Sequence, residues 1–193
     1  GGVVGEKYDA FSRVGIYIPG GTAPLVSTAL MTITLASVAG CREICVCTPP
    51  EADGSVNNDL LHACQMAGAS EVYKVGGAQA ISAMAYGTRS IRRVQKIFGP
   101  GNAYVVAAKR LLFGHVAIDL LPGPSELLVI ADDSAKPKSI AADLLAQAEH
   151  GSGHERCWLV TSSGKLLRGV EREIQKQLPT LSRNRFIKVA LKR

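Results

Sequence analysis

Short apolar runs rich in β-branched residues recur along this chain, and each stops at a glycine- or proline-rich segment before a helical stretch begins. The first run lies at residues 14–18, in the sequence VGIYIPGG. Continuous apolar strands that alternate with helices are typical of a parallel sheet covered on both faces. The pattern therefore predicts an α/β fold built on a parallel sheet.

Seven strands are expected from these runs, at residues 14–18, 43–48, 71–75, 94–98, 115–120, 126–132 and 157–161. The segments between them have the length and periodicity of helices, including 27–39, 58–66 behind an Asn cap, 138–150 and a basic amphipathic helix ending near Gln177. Two further helices are expected directly after GGAQA and GPGN.

Three glycine-rich loops follow predicted strands, at residues 18–21 (IPGG), 75–80 (VGGAQA) and 98–102 (FGPGN). Right-handed crossovers place the loops that follow parallel strands at one edge of the sheet, where such folds bind ligands. We therefore expect the three loops to line a site for an extended, phosphorylated ligand, although ordinary turns would explain any one of them. The chain lacks both G-x-G-x-x-G and a Walker A sequence, so the motifs alone indicate only a nucleotide-like or anionic ligand.

The formal net charge of +6 raises the question of nucleic-acid binding. From Lys165 onward the chain carries nine Lys or Arg against two Glu, so the preceding part is close to neutral. The basic tail contains Phe186 as its one aromatic residue and no recognisable binding module. A solvated helix face and tail is the favoured interpretation, and nucleic acid is not expected as a partner.

The five cysteines show no disulfide framework, which favours a reducing compartment and the cytoplasm. Cys45 and Cys47 would share one face of a strand, either as a metal-binding pair or as small buried hydrophobic residues. No apolar run reaches the roughly eighteen residues needed to span a bilayer, and the first residues do not resemble a signal peptide.

Five segments, in order along the chain, carry a family resemblance: VGIYIPGGTAPL, VGGAQAISAMAYGT, FGPGNAYVVAAKR, IDLLPGPSELLVIAD and DLLAQAEHG. Together they resemble the histidinol dehydrogenase family over residues 14 to about 161. The resemblance implies a zinc-assisted, NAD-dependent cytoplasmic homodimer. It would oxidise L-histidinol to the aldehyde and then to L-histidine, with two hydride transfers to two NAD molecules.

The family fold implies a Rossmann-like parallel sheet with helices on both faces, followed by part of a second, similar α/β domain. Residues 1–13 would form an N-terminal segment, 14–125 the NAD-binding domain, and 126–193 the partial second domain with its basic C-terminal helix and tail. Members of the family are about twice as long as this chain, so the resemblance implies truncation at both ends.

The matching motifs imply three NAD contacts, namely Tyr17 in GIYIPGG, Gln79 in GGAQA and Asn102 in GPGNAY. From the residues alone, Tyr17 could equally be an ordinary strand aromatic, and the two amides could be turn or helix caps.

Ser125 in GPSE matches a serine that contacts the substrate, and would otherwise be a turn hydroxyl. Gln147 and His150 in QAEH match two zinc ligands that also contact the substrate. Residues three apart on a helix can face one point, and imidazole nitrogen suits Zn²⁺. The family's general acid–base Glu-His pair and its remaining zinc ligands have no counterpart here, and His154 is the one histidine after His150. No catalytic residue is therefore expected in this chain.

Two alternatives remain open: a related dehydrogenase acting on another small diol, such as a sulfonated propanediol, and a catalytically inactive NAD-binding fragment. We expect weak but measurable NAD affinity, no histidinol oxidation by this chain alone, and self-association through the apolar strands LLVIA and CWLV.

Overall fold

The computed structural model describes residues 2–20, 25–122, 125–150 and 155–191. The chain divides into two compact units, residues 1–123 and residues 124–193. The first contains a sheet of five strands and the second a sheet of two. They are named the five-stranded unit and the two-stranded unit.

The five-stranded unit alternates strands and helices along its whole length. Its strands are β1 (Arg13–Tyr17), β2 (Glu43–Thr48), β3 (Glu71–Lys74), β4 (Lys96–Phe98) and β5 (Ala117–Ile118). Its helices are α1 (Val26–Val38), α2 (Asn58–Ala67), α3 (Gly77–Tyr86) and α4 (Ala103–Leu112). The expected Asn cap of α2 is Asn57, whose side chain accepts a hydrogen bond from the N–H of Leu60 at 3.1 Å.

The five strands are all parallel and lie in the order β3-β2-β1-β4-β5. The central strand β1 pairs with β2 on one side and with β4 on the other, so the direction of the connections reverses between β1 and β4. A reversal of this kind opens a crevice at the carboxyl ends of the strands in doubly wound folds. The structure therefore confirms the parallel α/β fold expected from the sequence.

Both faces of this sheet are covered, because alternate residues of the strands point to opposite sides. Val14 and Ile16 of β1 belong to the cluster that packs against α1 and α2. Tyr17 of β1, with Cys45 and Cys47 of β2, belongs to the cluster that packs against α3 and α4. The unit therefore has two apolar cores, one on each side of a single sheet.

Cys45, Cys47 and Cys64 are buried members of these cores. A hydrogen bond to Cys45, together with burial, raises the pKa of the Cys47 thiol, and burial raises the pKa of Cys64. Within the described residues, no group of three or more His, Cys, Asp or Glu is placed to hold a metal ion. The full burial of Cys45 and Cys47 in an apolar core agrees with their interpretation as small hydrophobic residues.

The amino edge of the five-stranded sheet is held by an ion-pair cluster. The buried Arg13 guanidinium lies 2.6 Å from a carboxylate oxygen of Glu43 and 2.6 Å from one of Glu71. Arg92 makes a further ion pair with Glu43 at 2.6 Å. Hydrogen bonds from Arg13 lower the pKa of both glutamates below the ordinary value. The cluster thereby joins the first residues of β1, β2 and β3.

The two-stranded unit contains the parallel strands β6 (Glu126–Ile130) and β7 (Arg156–Val160). Its helices are α5 (Pro137–Ala148), α6 (Gly164–Gln177) and α7 (Asn184–Ala190), with a 3₁₀ turn at Leu178–Thr180. Alternate residues of both strands pack against α5 and α6. The other face of this sheet carries large apolar side chains that remain exposed, namely Leu128, Ile130, Trp158 and Val160.

Two expectations about this unit were wrong in detail. The segment after Gln177 is not only a solvated tail, because α7 forms there and buries Ile187 completely against Leu145 and Ala148 of α5. Helix α5 ends at Ala148 instead of reaching His150, which lies in the turn that follows. Among the described residues, no helix is long and apolar enough to cross a membrane.

Candidate functional site

Two of the three glycine-rich loops meet at Pro49, the residue that follows β2. A Cβ atom added to Gly20, after β1, would lie 2.6 Å from the Pro49 side chain. A Cβ added to Gly76, after β3, would lie 2.5 Å from it. Only glycine allows the backbone to approach so closely at these two positions.

Tyr17, the last residue of β1, contacts the loop after β3 and the loop after β4. Its buried hydroxyl accepts a hydrogen bond from the backbone N–H of Gly77 at 3.0 Å. Gly99, after β4, has a φ of +118°, and a Cβ there would overlap the carbonyl oxygen of Tyr17. The three loops therefore share one edge of the sheet, as expected, although Gly21 lies outside the described residues.

Gln79 and Asn102 are both exposed at this edge. Gln79 lies in the first turn of α3. Asn102 caps α4, since its side-chain oxygen accepts hydrogen bonds from the N–H groups of Tyr104 and Val105 at 3.1 and 3.2 Å. Its capping role is thus present in the structure, while the NAD contacts of Tyr17, Gln79 and Asn102 stay predictions.

A buried lysine that sequence analysis missed fixes the root of the third loop. Lys109 on α4 is fully buried, forms an ion pair with Asp119 and donates a hydrogen bond to the Gly99 carbonyl at 3.0 Å. Its spacing from Val105 and Leu112 places it on the apolar face of α4. A lysine at such a position signals a buried ion pair, although the sequence does not identify its partner.

The edge as a whole suits a nucleotide with phosphate groups. Helices α3 and α4 begin there with the positive ends of their dipoles, although Tyr17 binds the N–H of Gly77 and Asn102 binds those of Tyr104 and Val105. The positions that Cβ atoms of Gly20, Gly76 and Gly99 would take are filled by Pro49 and the Tyr17 carbonyl, so these glycines allow the loops to pack closely on one another. These helix starts are the feature of the edge that favours an anionic ligand.

In the two-stranded unit Gln147 contacts Ser125, and His150 lies in the turn after α5. The side-chain nitrogen of Gln147 donates a hydrogen bond to the Ser125 carbonyl at 3.1 Å. The amide oxygen of Gln147 is then the side-chain atom that could bind a metal ion. The Nδ1 atom of His150 lies 3.2 Å from the Ala146 carbonyl. A carbonyl only accepts, so Nδ1 is the donor, and the neutral ring with this tautomer has its lone pair on Nε2.

In type, an imidazole nitrogen suits zinc well, whereas a neutral amide oxygen is a weaker ligand. Metal-binding histidines commonly donate their second ring N–H to a backbone carbonyl, as His150 does to Ala146. Two protein ligands are nevertheless fewer than the three that hold a catalytic zinc. His154, the other histidine in this region, lies outside the described residues.

Arg183, in the segment before α7, also supports this site. It donates a hydrogen bond to the backbone carbonyl of His150 at 3.2 Å, and its guanidinium lies 5.0 Å from the centre of the Phe186 ring. Sequence analysis missed this contact, because no local pattern links a tail arginine to a turn thirty-three residues earlier.

The strand order of the five-stranded unit, with its glycine loops beside the reversal of connections, defines a Rossmann-like α/β protein. The family model for histidinol dehydrogenase matches residues 1–193, the whole chain. The chain belongs to the histidinol dehydrogenase family.

Individual relatives agree with this assignment. The chain is 51% identical over 191 residues to histidinol dehydrogenase from Geobacillus kaustophilus, covering 99% of this chain and 45% of that protein. It is 51% identical over 193 residues to the enzyme of that name from Thermus thermophilus, covering 100% and 46%. The crystal structure of histidinol dehydrogenase from Elizabethkingia anophelis matches with a TM-score of 0.90 at 46% identity, covering 95% of this chain and 42% of that one. The chain thus spans less than half the length of these relatives.

Proposed function

We propose that this chain supplies the NAD-binding domain, about residues 14–125, and part of the zinc and substrate site of a histidinol dehydrogenase. The overall reaction would be the NAD-dependent oxidation of L-histidinol to L-histidine. The observation that carries the proposal is the convergence of the loops at Gly20, Gly76 and Gly99 on one sheet edge in a chain of this family. The relatives compared are named for histidinol, which favours this substrate over another small diol.

NAD, when bound, supplies the hydride acceptor, and three residues of this chain would orient it. Tyr17 would act through its hydroxyl, which holds the N–H of Gly77 and thereby shapes the loop before α3. The exposed amide of Gln79 would meet ribose or adenine groups. Asn102 uses its oxygen to cap α4, so its side-chain nitrogen would be the atom that donates to the cofactor.

Zinc, when bound, supplies a Lewis acid near the substrate. The amide oxygen of Gln147 and the Nε2 atom of His150 would be this chain's ligands, because their other polar atoms already bind Ser125 and Ala146. The hydroxyl of Ser125, an exposed residue beside Gln147, would contact the substrate.

Turnover also needs a positioned acid–base group, which contributes about 10²–10⁴ in rate. No segment of this sequence matches the family's Glu-His pair. We therefore propose that the chain by itself binds NAD weakly and does not oxidise histidinol. We further propose a cytoplasmic protein that pairs with a second copy of itself.

The test is a titration of the purified chain with NAD, followed by an assay of NAD reduction with L-histidinol and added Zn²⁺. We expect saturable NAD binding and no reduction above the no-protein rate. A lack of NAD binding would contradict the proposed domain function. Histidinol-dependent reduction that is lost in His150→Ala would show that the site is more complete than proposed, whereas activity retained in that variant would point to a contaminating enzyme.

A further inference from the structure

Lys109 is a charged residue on the buried face of α4 with no exposed surface of its own. Its ammonium group pairs with the carboxylate of Asp119, which follows β5 and whose side chain is 21% exposed. The same ammonium donates to the Gly99 carbonyl at 3.0 Å. Burial of an ammonium group is costly unless it is paired, so this arrangement needs an explanation.

The carboxylate of Asp119 binds the other polar group of the same glycine. Its Oδ2 atom accepts a hydrogen bond from the Gly99 N–H at 2.8 Å, and its Oδ1 atom accepts one from the Leu120 N–H at 2.7 Å. The two charged residues together therefore bind both the N–H and the C=O of Gly99. This set of contacts is named the Gly99 clamp.

Gly99 needs these partners because it lies where the chain leaves the sheet. Strand β4 ends at Phe98, and Gly99 has a left-handed φ of +118° directly against the Tyr17 carbonyl. In this conformation both of its backbone groups bond to side chains instead of to a neighbouring strand. The clamp thereby fixes the first peptide of the loop that ends at Asn102, the cap of α4.

Stability alone does not account for a charged pair at this position. Apolar residues of similar size often replace a buried ion pair with no loss of stability. Apolar side chains cannot bind the N–H and C=O of Gly99, however. The property that only the charged pair provides is a fixed conformation of the loop.

We propose that Lys109 and Asp119 are positioning residues that hold the loop from Gly99 to Asn102 in the shape that receives the nucleotide. The inference rests on the proposed role of this loop in NAD binding. Lys109 acts through Gly99 and does not itself contact the cofactor, because it is fully buried behind the loop backbone.

The test compares Lys109→Met with Arg13→Met. Both variants remove a buried cation of the same unit, but Arg13 pairs with Glu43 and Glu71 at the opposite edge of the sheet. Lys109→Met should weaken NAD binding by about tenfold or more, the loss expected when a charged hydrogen bond is removed. It should also speed amide exchange of Gly99, Gly101 and Asn102. Arg13→Met should lower the unfolding midpoint, yet keep NAD affinity within about twofold and leave exchange at these amides unchanged.

A second variant keeps the test decisive if Lys109→Met does not fold. The double substitution K109M/D119N removes both charges and leaves an amide oxygen that accepts from the Gly99 N–H, while the Gly99 carbonyl still lacks its donor. NAD affinity and loop exchange within about twofold of the unmodified chain, in either folded variant, would overturn the proposal.

Failure of the proposed function gives a different result. If the unmodified chain shows no NAD binding, the NAD-binding role is wrong and the clamp is judged by exchange alone. Faster exchange at the loop in the Lys109 variant, but not in Arg13→Met, supports the clamp. Equal exchange in all three proteins overturns it.

Discussion

The two units of this chain both contain a parallel sheet, but they differ in how many faces of that sheet are covered by helices. In the five-stranded unit, α1 and α2 cover one face and α3 and α4 cover the other. In the two-stranded unit, α5 and α6 cover one face, while the other exposes Ile130 at 76% and Trp158 at 41% of their surfaces. Parallel sheets are normally buried on both faces, so only the first unit meets this requirement by itself.

The candidate sites of the two units also differ in how many contacts hold their residues in place. The nucleotide edge of the five-stranded unit has loops held by Tyr17, Pro49 and the Gly99 clamp. The proposed zinc and substrate residues of the two-stranded unit lie around the end of α5, where Gln147 binds the Ser125 carbonyl and His150 binds the Ala146 carbonyl. A sheet covered on both faces thus accompanies closely packed loops, and a sheet covered on one face accompanies the proposed zinc and substrate residues.

The largest effect is expected from Gly99→Ala, which changes the residue held by the Gly99 clamp in the five-stranded unit. A Cβ there would overlap the Tyr17 carbonyl at a left-handed φ, and such strain alone costs about 1–3 kcal/mol. We expect NAD binding to be lost and the unfolding midpoint in urea to fall. Gly114→Ala is the matched control, because Gly114 also has a left-handed φ of +93° but nothing within 4 Å of an added Cβ. Equal NAD affinity in the two variants would contradict the close approach at Gly99.

A smaller effect is expected from Ile130→Lys, which tests the exposed face of the two-stranded unit. We expect the unmodified chain to self-associate through this face, since burial of an isoleucine side chain contributes about 1.5–3 kcal/mol. The lysine variant should shift sedimentation toward the monomer. Val38→Lys is the control, as Val38 is 81% exposed on α1 of the other unit. A monomeric unmodified chain at high concentration, or dissociation by Val38→Lys alone, would contradict this use of the face.

The smallest effect is expected on the pH dependence of stability. Hydrogen bonds from Arg13 lower the pKa of Glu43 and Glu71, so their contribution is present above the ordinary glutamate pKa of about 4.3 and is lost as the pH falls through the lower folded values. In the two-stranded unit, the ion pairs Arg156–Glu126 and Lys176–Glu173 are longer, at 3.8 and 3.9 Å. Acid should therefore destabilise mainly the five-stranded unit.

Two probes separate the units in this experiment. Trp158, the single tryptophan of the chain, reports by fluorescence on the two-stranded unit, whereas amide exchange in β1 and β2 reports on the other. In the double variant Glu43→Gln/Glu71→Gln, the loss of protection in β1 and β2 below pH 5 should be smaller than in the unmodified chain. An identical loss in both proteins would show that the Arg13 cluster does not set the acid response.

Much of the fold follows from local patterns in the sequence. Apolar runs ending at glycine predict the strands and the shared edge of the loops, and Asn57 before an apolar repeat predicts the start of α2. The same patterns do not distinguish a covered strand face from an exposed one, so the exposure of Ile130 and Trp158 required the structure. The short helix α7 was missed because its stability comes from packing Ile187 against α5 instead of from a long periodic pattern.

The candidate sites depend more on contacts between distant residues. Motif resemblance identifies Gln79, Asn102, Gln147 and His150 as site residues, and their contacts with NAD and zinc stay predictions. The pairing of Lys109 with Asp119 and the contact of Arg183 with His150 join segments that no sequence spacing relates. Such contacts form only when helices and strands have packed, which is why the sequence alone does not show them.

The most direct test of the account is a map of amide protection in the unmodified chain as NAD is added. We expect saturable binding with protection at residues 76–79 and 99–103, at the carboxyl edge of the five-stranded sheet. The Arg13 edge and strands β6 and β7 should stay unchanged. The absence of saturable binding, or protection confined to the two-stranded unit, would contradict the assignment of the nucleotide site to this edge.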